Sequence, residues 1–258
     1  MTRDTLGAMD LGIEGRIALV GGATQGIGRA VAEVLIAEGA RVVITARDEV
    51  RTAAVAAEIG AAAGYGWDSG DLEGAVTLIR RVREDVGEID ILVTNTGGPP
   101  TGPDPLAFSD EQWELAHRTL VMAPLALARL AVPGMRERRW GRIVGIASTS
   151  VREPIGVLML SNAERSATLA AFKTLAQQLA GDGITVNTLL TGSIATERAA
   201  SMHGSMQAAE QAAAARVPAG RIGRPEEMGW ATAFLCSERA AFITGAALAV
   251  DGGVLRGI

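Results

Sequence analysis

The 258-residue chain is short of several things that carry function elsewhere. It has one cysteine, Cys236, so no intramolecular disulfide can form, and no Cys/His cluster stands at metal-ligand spacing. Cys236 lies in an apolar helical segment, where a small buried hydrophobe is the expectation. Positive charge is short as well: 24 Lys and Arg against 29 Asp and Glu leave a net charge of −5, which gives no field to hold nucleic acid or an acidic membrane surface. No uninterrupted apolar run reaches the roughly 18 residues of a membrane span, and the first residues lack the apolar centre of a signal peptide. A cytoplasmic protein is expected. Lysine occurs once, at Lys173, and tyrosine once, at Tyr65. Arginine carries nearly all the positive charge, which with the abundant Ala and Gly points to a GC-rich coding sequence.

What is present is a repeating alternation of short apolar runs and helical segments. The stretch that organises it is residues 17–28: an apolar run, a turn with glycines at 22, 26 and 28, and then Ile27, Ala30, Val31, Val34 and Leu35 at helical spacing. Such a strand, turn and helix suits a nucleotide pyrophosphate. Glycine admits positive φ and close approach of an anion, and the free N–H groups of the new helix face the phosphates. The spacing is G-x-x-x-G-x-G, distinct from the G-x-G-x-x-G of other dinucleotide folds.

The remaining strands are expected at about 41–45, 64–67, 89–94, 142–147, 184–190 and 246–250, separated by helices, with residues 1–15 a solvated leader. The expected fold is a single-domain Rossmann-type α/β architecture over 1–258: a doubly wound parallel sheet of about seven strands with helices on both faces. Just past the second strand stand Ala46 and Arg47 in place of an acidic residue, which favours a 2′-phosphate and so NADP over NAD, unless Arg47 is merely solvated. Asp68 and the polar glycine-rich run from Asn95 to Gly98 fall at carboxyl edges of strands, where ligands of open α/β sheets bind. Long Ala/Leu-rich helices at about 109–135 and 157–180 need cover, which predicts a homodimer or homotetramer. An Ala-, Gln- and Met-rich excursion at about 193–218 reads as a substrate lid.

Over residues 12–254 the chain resembles the short-chain dehydrogenase/reductase family. The resemblance rests on Gly22, Gly26 and Gly28, on Asn95-Thr-Gly97 for that family's Asn-Asn-Ala-Gly, on Ile184 to Asn187, on Gly220 to Glu227, and on Phe242 to Gly253. It implies a nicotinamide cofactor and a small-molecule substrate. The turn, Ile27 included, would hold the pyrophosphate and Arg47 the 2′-phosphate. Asp68 would lie near adenine, Asn95 and Gly97 near ribose, and Ile194 and Thr196 near the nicotinamide amide. The family's Pro-Gly before the last two is Thr191-Gly192.

The chemistry implied by the resemblance is a relay of Tyr, Lys, Ser and Asn, and three of these four positions differ. Ser148 matches the serine; Ser161 stands where the tyrosine should be, Arg165 where the lysine should be, and Leu120 where the asparagine should be. Ser161 and Arg165 keep the i, i+4 helical spacing, but a serine hydroxyl is a far weaker acid than a phenol, and a guanidinium does not shuttle protons at neutral pH. Tyr65 precedes the third strand and Lys173 lies two turns past Arg165, so neither restores the relay. Three readings remain. In the first, Ser148, Ser161 and Arg165 line one pocket and support NADP-linked oxidoreduction of a carbonyl or secondary alcohol, with a proton from water, Glu153, Glu164, His117 or His203. In the second, the fold runs non-redox chemistry such as cyclisation, dehydration or isomerisation. In the third, the chain is a catalytically silent nucleotide-binding subunit.

Overall fold

Each strand expected from the sequence is present in the computed structural model, which describes residues 10–257. Residues 1–9, most of the expected leader, lie outside the described residues. The strands are β1 (Ile17–Gly21), β2 (Arg41–Ala46), β3 (Ala63–Gly66), β4 (Ile91–Thr94), β5 (Gly141–Ser148), β6 (Ile184–Thr191) and β7 (Ala247–Val250). They form one sheet in the order β3-β2-β1-β4-β5-β6-β7, with every adjacent pair parallel. The connections run outward in both directions from β1 and β4, so the crevice that receives ligands in such sheets opens at their carboxyl ends.

Successive residues of the strands point to opposite faces, and both faces are covered, which is why these strands are apolar throughout. Val20, Val42, Ile44, Ile91, Val93 and Val144 face one core, shared with α1 (Gly26–Ala37), α2 (Glu49–Ile59) and α9 (Pro225–Cys236). Their neighbours Leu19, Val43, Leu92 and Ile143 face the other, shared with α3 (Gly74–Asp85), α5 (Ala123–Arg138) and α6 (Met159–Leu179). Cys236 is buried in the first core, where loss of solvation pushes its thiol up to about 12; it is the inert hydrophobe expected.

The first long helical stretch is broken in a way that periodicity did not reveal. Ser109 and Gln112 form a capping box that starts α4 (Asp110–His117), which widens into a single π turn at Arg118–Met122 before α5 continues. Pro124 has no N–H to offer the carbonyl four residues back, that of Leu120, and the Thr168 hydroxyl of α6 donates to it instead at 2.6 Å. The whole run Asp110–Arg138 has the length and apolarity of a membrane-crossing helix, yet Ala123, Leu127, Ala128, Ala131 and Met135 are buried against the sheet. The excursion after β6 contains α7 (Glu197–His203) and α8 (Met206–Arg216). Its two feet are tied by Ala195 N–H to Gly223 O (2.9 Å) and Gly223 N–H to Ser193 O (2.9 Å).

Candidate active site

The glycine turn is built by backbone demands that a side chain would break. Gly22 and Gly26 have φ of 58° and 57°, in the left-handed region. At Gly28 a Cβ would collide with the Gly22 carbonyl oxygen and come within 2.8 Å of Asn95 Nδ2. Asn95 in turn donates from Nδ2 to Gly21 O (3.1 Å) and Gly22 O (3.3 Å), stapling the end of β4 to the turn across the point where the sheet order reverses. No side chain caps the start of α1 and its first turn holds no acid, so its N–H groups are free for an anion. Thr196 stands over the turn, 3.3 Å from where a Cβ of Gly26 would lie, and caps α7 by accepting from Ala199 N–H. The Ile194 side chain is buried in the core against which the half-buried Ile27 packs. Gly97 borders open space. Open donors beside a glycine floor, reached by no Cβ, fit a dinucleotide.

Around the expected adenosine end, Arg47 is exposed and makes no hydrogen bond or ion pair among the described residues. Asp68 is exposed too, and its Oδ1 accepts from Gly70 N–H (2.8 Å) within a local turn.

The second half of the crevice brings Ser161 and Arg165 together and carries Arg165 to the strand of Ser148. From α6, Arg165 donates through Nε to Ser161 Oγ (3.2 Å) and through Nη1 to Ile146 O (2.8 Å). Ile146 is two residues before Ser148 on β5, about 7 Å along the strand. Ser148 Oγ accepts from Ser150 N–H (3.1 Å). Both serine oxygens therefore accept from the protein, leaving each O–H to donate elsewhere. Ser148 is in register with Thr191 of β6, whose buried hydroxyl has no partner among the described residues. Burial first, then the positive charge of Arg198, lowers the Arg165 guanidinium to about 10, which leaves it cationic at neutral pH. Arg198 of α7 donates to Gly98 O (3.3 Å) and Pro99 O (3.1 Å), so the excursion reaches across to the loop after β4. Beneath Arg165 lies a cavity of about 20 Å³ bordered by Leu120, Thr168 and Thr188, room for about one water.

The other titratable groups named from the sequence are held elsewhere. Glu164 Oε2 lies 2.9 Å from His117 Nδ1, and Glu153 accepts from the Arg256 N–H at 2.7 Å. His203 is exposed at the end of α7, and Lys173 donates to Gly245 O (2.9 Å). Tyr65 sits on the edge strand β3, four strand spacings from β5, about 19 Å. Its hydroxyl donates to Asp85 Oδ2 at 2.6 Å, and burial with that carboxylate raises it to about 12.

Three residues at the crevice escaped the sequence reading. Thr191 was visible only as a departure from Pro-Gly, and Arg198 had no local motif to mark it. Gln25 sits between the glycines, donating to Glu197 Oε2 (2.7 Å) and accepting from Arg51 Nη2 (2.7 Å).

Comparison with known proteins agrees with this geometry. Residues 22–255 match the family model described as enoyl-(acyl carrier protein) reductase. The chain is 36% identical over 247 residues to the 3-oxoacyl-[acyl-carrier-protein] reductase FabG of Escherichia coli (strain K12), covering 95% of this chain and 99% of that protein. Among solved structures, L-sorbose reductase from Gluconobacter frateurii, complexed with NADPH and L-sorbose, superposes with a TM-score of 0.89 at 34% identity, covering 97% of this chain and all (100%) of the other. The putative NAD(P)-dependent gluconate 5-dehydrogenase from Beutenbergia cavernae, with bound NADP, superposes with a TM-score of 0.89 at 32% identity over 96% and 100% of the two chains.

Proposed function

The chain belongs to the short-chain dehydrogenase/reductase family of oxidoreductases, and from that premise we propose that it is an NADP-linked enzyme acting on a carbonyl compound or the corresponding alcohol with an altered catalytic corner. The cofactor is inferred from the open glycine cradle, from the unpaired Arg47 and from the NADPH and NADP bound by the two structural neighbours. Bound there, reduced nicotinamide supplies hydride.

The chain's own residues then have a defined task. Ser148 and Ser161 direct free O–H groups at the substrate oxygen, and Arg165 fixes a positive charge beside them. Asn95 keeps the turn and β4 in register through Nδ2, which donates to two carbonyls, and its Oδ1 remains to accept from ribose. Residues 193–218, anchored at both feet and bridged by Arg198 and Glu197, act as the substrate lid. The observation that carries the reading is the reach of Arg165 from Ser161 to β5, two residues short of Ser148. NADPH titration followed by tryptophan fluorescence tests it, with Trp67 one residue before Asp68 as reporter. Absence of binding at sub-millimolar NADPH or NADH refutes the redox reading, and binding without hydride transfer to any carbonyl or alcohol leaves the non-redox or silent alternatives.

A homo-oligomer is part of the same reading. Trp230 and Phe234 of α9, Phe242, and Leu248 on edge strand β7 are all exposed large hydrophobics. A second copy covering that edge predicts a dimer or tetramer by light scattering, and Leu248→Lys should shift the mass towards the monomer.

A further inference from the structure

We propose that the chain carries a second ligand site, outside the nucleotide crevice, that takes a carboxylate with a short apolar body between α6 and the start of β7. Its occupancy does not depend on the NADP-linked reading above. A cavity of about 340 Å³ opens there, within the size range of small-molecule sites. At about 30 Å³ for each water-sized group, it has room for roughly ten non-hydrogen atoms.

Strand register explains the hollow. Thr188 of β6 pairs with Ala247, and Leu189 with Leu248. Val186 belongs to the core shared with α6, so Thr188, two residues on, and its neighbour Ala247 face that helix, whereas Leu248 faces the opposite side with Leu189. On the α6 side the last strand and its approach contribute only Gly245, Ala246 and Ala247, and the helix contributes Ala170. Small side chains leave volume unfilled over a floor of Leu169, Phe172 and Val186.

The rim is cationic. Lys173, the one lysine in the chain, donates to Gly245 O (2.9 Å), and Arg152 donates to Ala247 O (3.0 Å). These acceptors are two residues apart, at most about 7 Å of chain, so both cations stand on one stretch of rim. Neither is ion-paired among the described residues. Glu153, the acid next to Arg152, accepts from the Arg256 N–H instead. Each cation spends one N–H on a carbonyl and keeps others to donate. Two unneutralised cations beside an apolar floor match an anion on an apolar body, and a carboxylate offers an acceptor oxygen to each.

A second copy of the chain fits this place less well. Leu248 lies on the other face of β7, with the exposed Trp230 and Phe234 of α9, whose helix packs on that side. Ala246 O accepts from Thr188 N–H of β6, so by strand alternation Ala247 O points to the free edge, where Arg152 takes it and obstructs an added strand. The site also touches the catalytic corner: Leu169, Phe172 and Thr188 border both this hollow and the small cavity beneath Arg165.

Calorimetric titration of the whole protein with millimolar sodium octanoate tests the site, with 1-octanol and octylammonium as neutral and cationic controls of the same chain length. The expected result is saturable binding at one site per chain, weaker by about tenfold or more for either control and in Lys173→Gln and Arg152→Gln. Binding should be lost in Ala170→Trp, which fills the hollow from an exposed helical position, with circular dichroism confirming that each variant folds. Hydrogen exchange slowed by octanoate at residues 166–173 and 244–248 supports the assignment, and slowing confined to other segments overturns it. Absence of saturation, equal affinity for a control, unchanged affinity in all three variants, or competition by NADPH also overturns it. Light scattering tests the other occupant: a shift of Ala170→Trp towards the monomer would show that a second copy fills the hollow, and the ligand site would fall.

Discussion

The two halves of the crevice are built by different kinds of constraint. On the β1 to β3 side the turn is dictated by main-chain geometry: positive φ at Gly22 and Gly26, and a contact at Gly28 that leaves no room for a methyl group. On the β5 and β6 side the backbone sets only positions, one turn apart on α6 and at the end of β5, and the side chains there decide the chemistry. A helix accepts Ser and Arg at positions 161 and 165 as readily as Tyr and Lys, so this half can change its reaction without changing its shape.

The largest expected effect breaks the first half outright. Gly28→Ala drives a methyl group into the Gly22 carbonyl and the Asn95 amide, which forces the turn open. A cost of about 3 kcal/mol in cofactor affinity corresponds to a roughly 100-fold weaker NADPH Kd, measured by fluorescence titration beside circular dichroism. An unchanged Kd would show that the cradle is not the binding site.

The second prediction separates the halves. Arg165→Gln removes the charge at the oxygen but leaves the glycine turn alone, so kcat should fall by about 100- to 1000-fold while the NADPH Kd moves by less than about tenfold, or 1.4 kcal/mol. The pH dependence carries the same signature. The guanidinium is charged below about 10 and loses its proton only as pH rises through that value, so hydride transfer should be flat between about pH 6 and 8. A rate that climbs or falls tenfold across that window would mean that a titrating acid or base has been missed.

The third is smaller and tests the outer end of the cradle. Arg47→Ala should weaken NADPH by about tenfold, the worth of one exposed charge-assisted contact of about 1.4 kcal/mol, and leave NADH unchanged. Equal weakening of both would place Arg47 away from the 2′-phosphate.

What could be read from the sequence follows the same division. The seven strands, the doubly wound parallel sheet and the glycine turn were legible because they depend on the alternation of short apolar runs with helical periodicity and on residues with unique backbone freedom. The Ser161 and Arg165 pairing was legible because helical spacing fixes which side chains meet. The π turn was not, since its cause, the missing N–H of Pro124, acts on a carbonyl whose replacement donor, Thr168, lies on another helix. Arg198 and Thr191 were hidden for a similar reason: each matters through a neighbour distant in sequence, Gly98 and Pro99 for the first and Ser148 for the second. Asn95 is expected beside ribose from the resemblance alone, and the bonds of its Nδ2 to Gly21 and Gly22 are contacts that only the folded crossover creates.

The smallest expected effect is the sharpest test of the contrast, because it concerns the one phenol in the chain. Tyr65 donates to Asp85 and lies under the Arg81 guanidinium, 4.2 Å from its ring centroid, on the strand farthest from β7. Tyr65→Phe keeps the ring in its core and deletes a single hydrogen bond to a carboxylate, at a cost of about 1–2 kcal/mol, or a Tm lower by roughly 2–8 °C for a chain of this size. Turnover should be unchanged, because about 19 Å of sheet separates the hydroxyl from β5. Loss of hydride transfer in this variant, with NADPH still bound, would require the phenol to act at the crevice after all, and the distinction between a fixed cradle and a rewritten catalytic corner would fail with it.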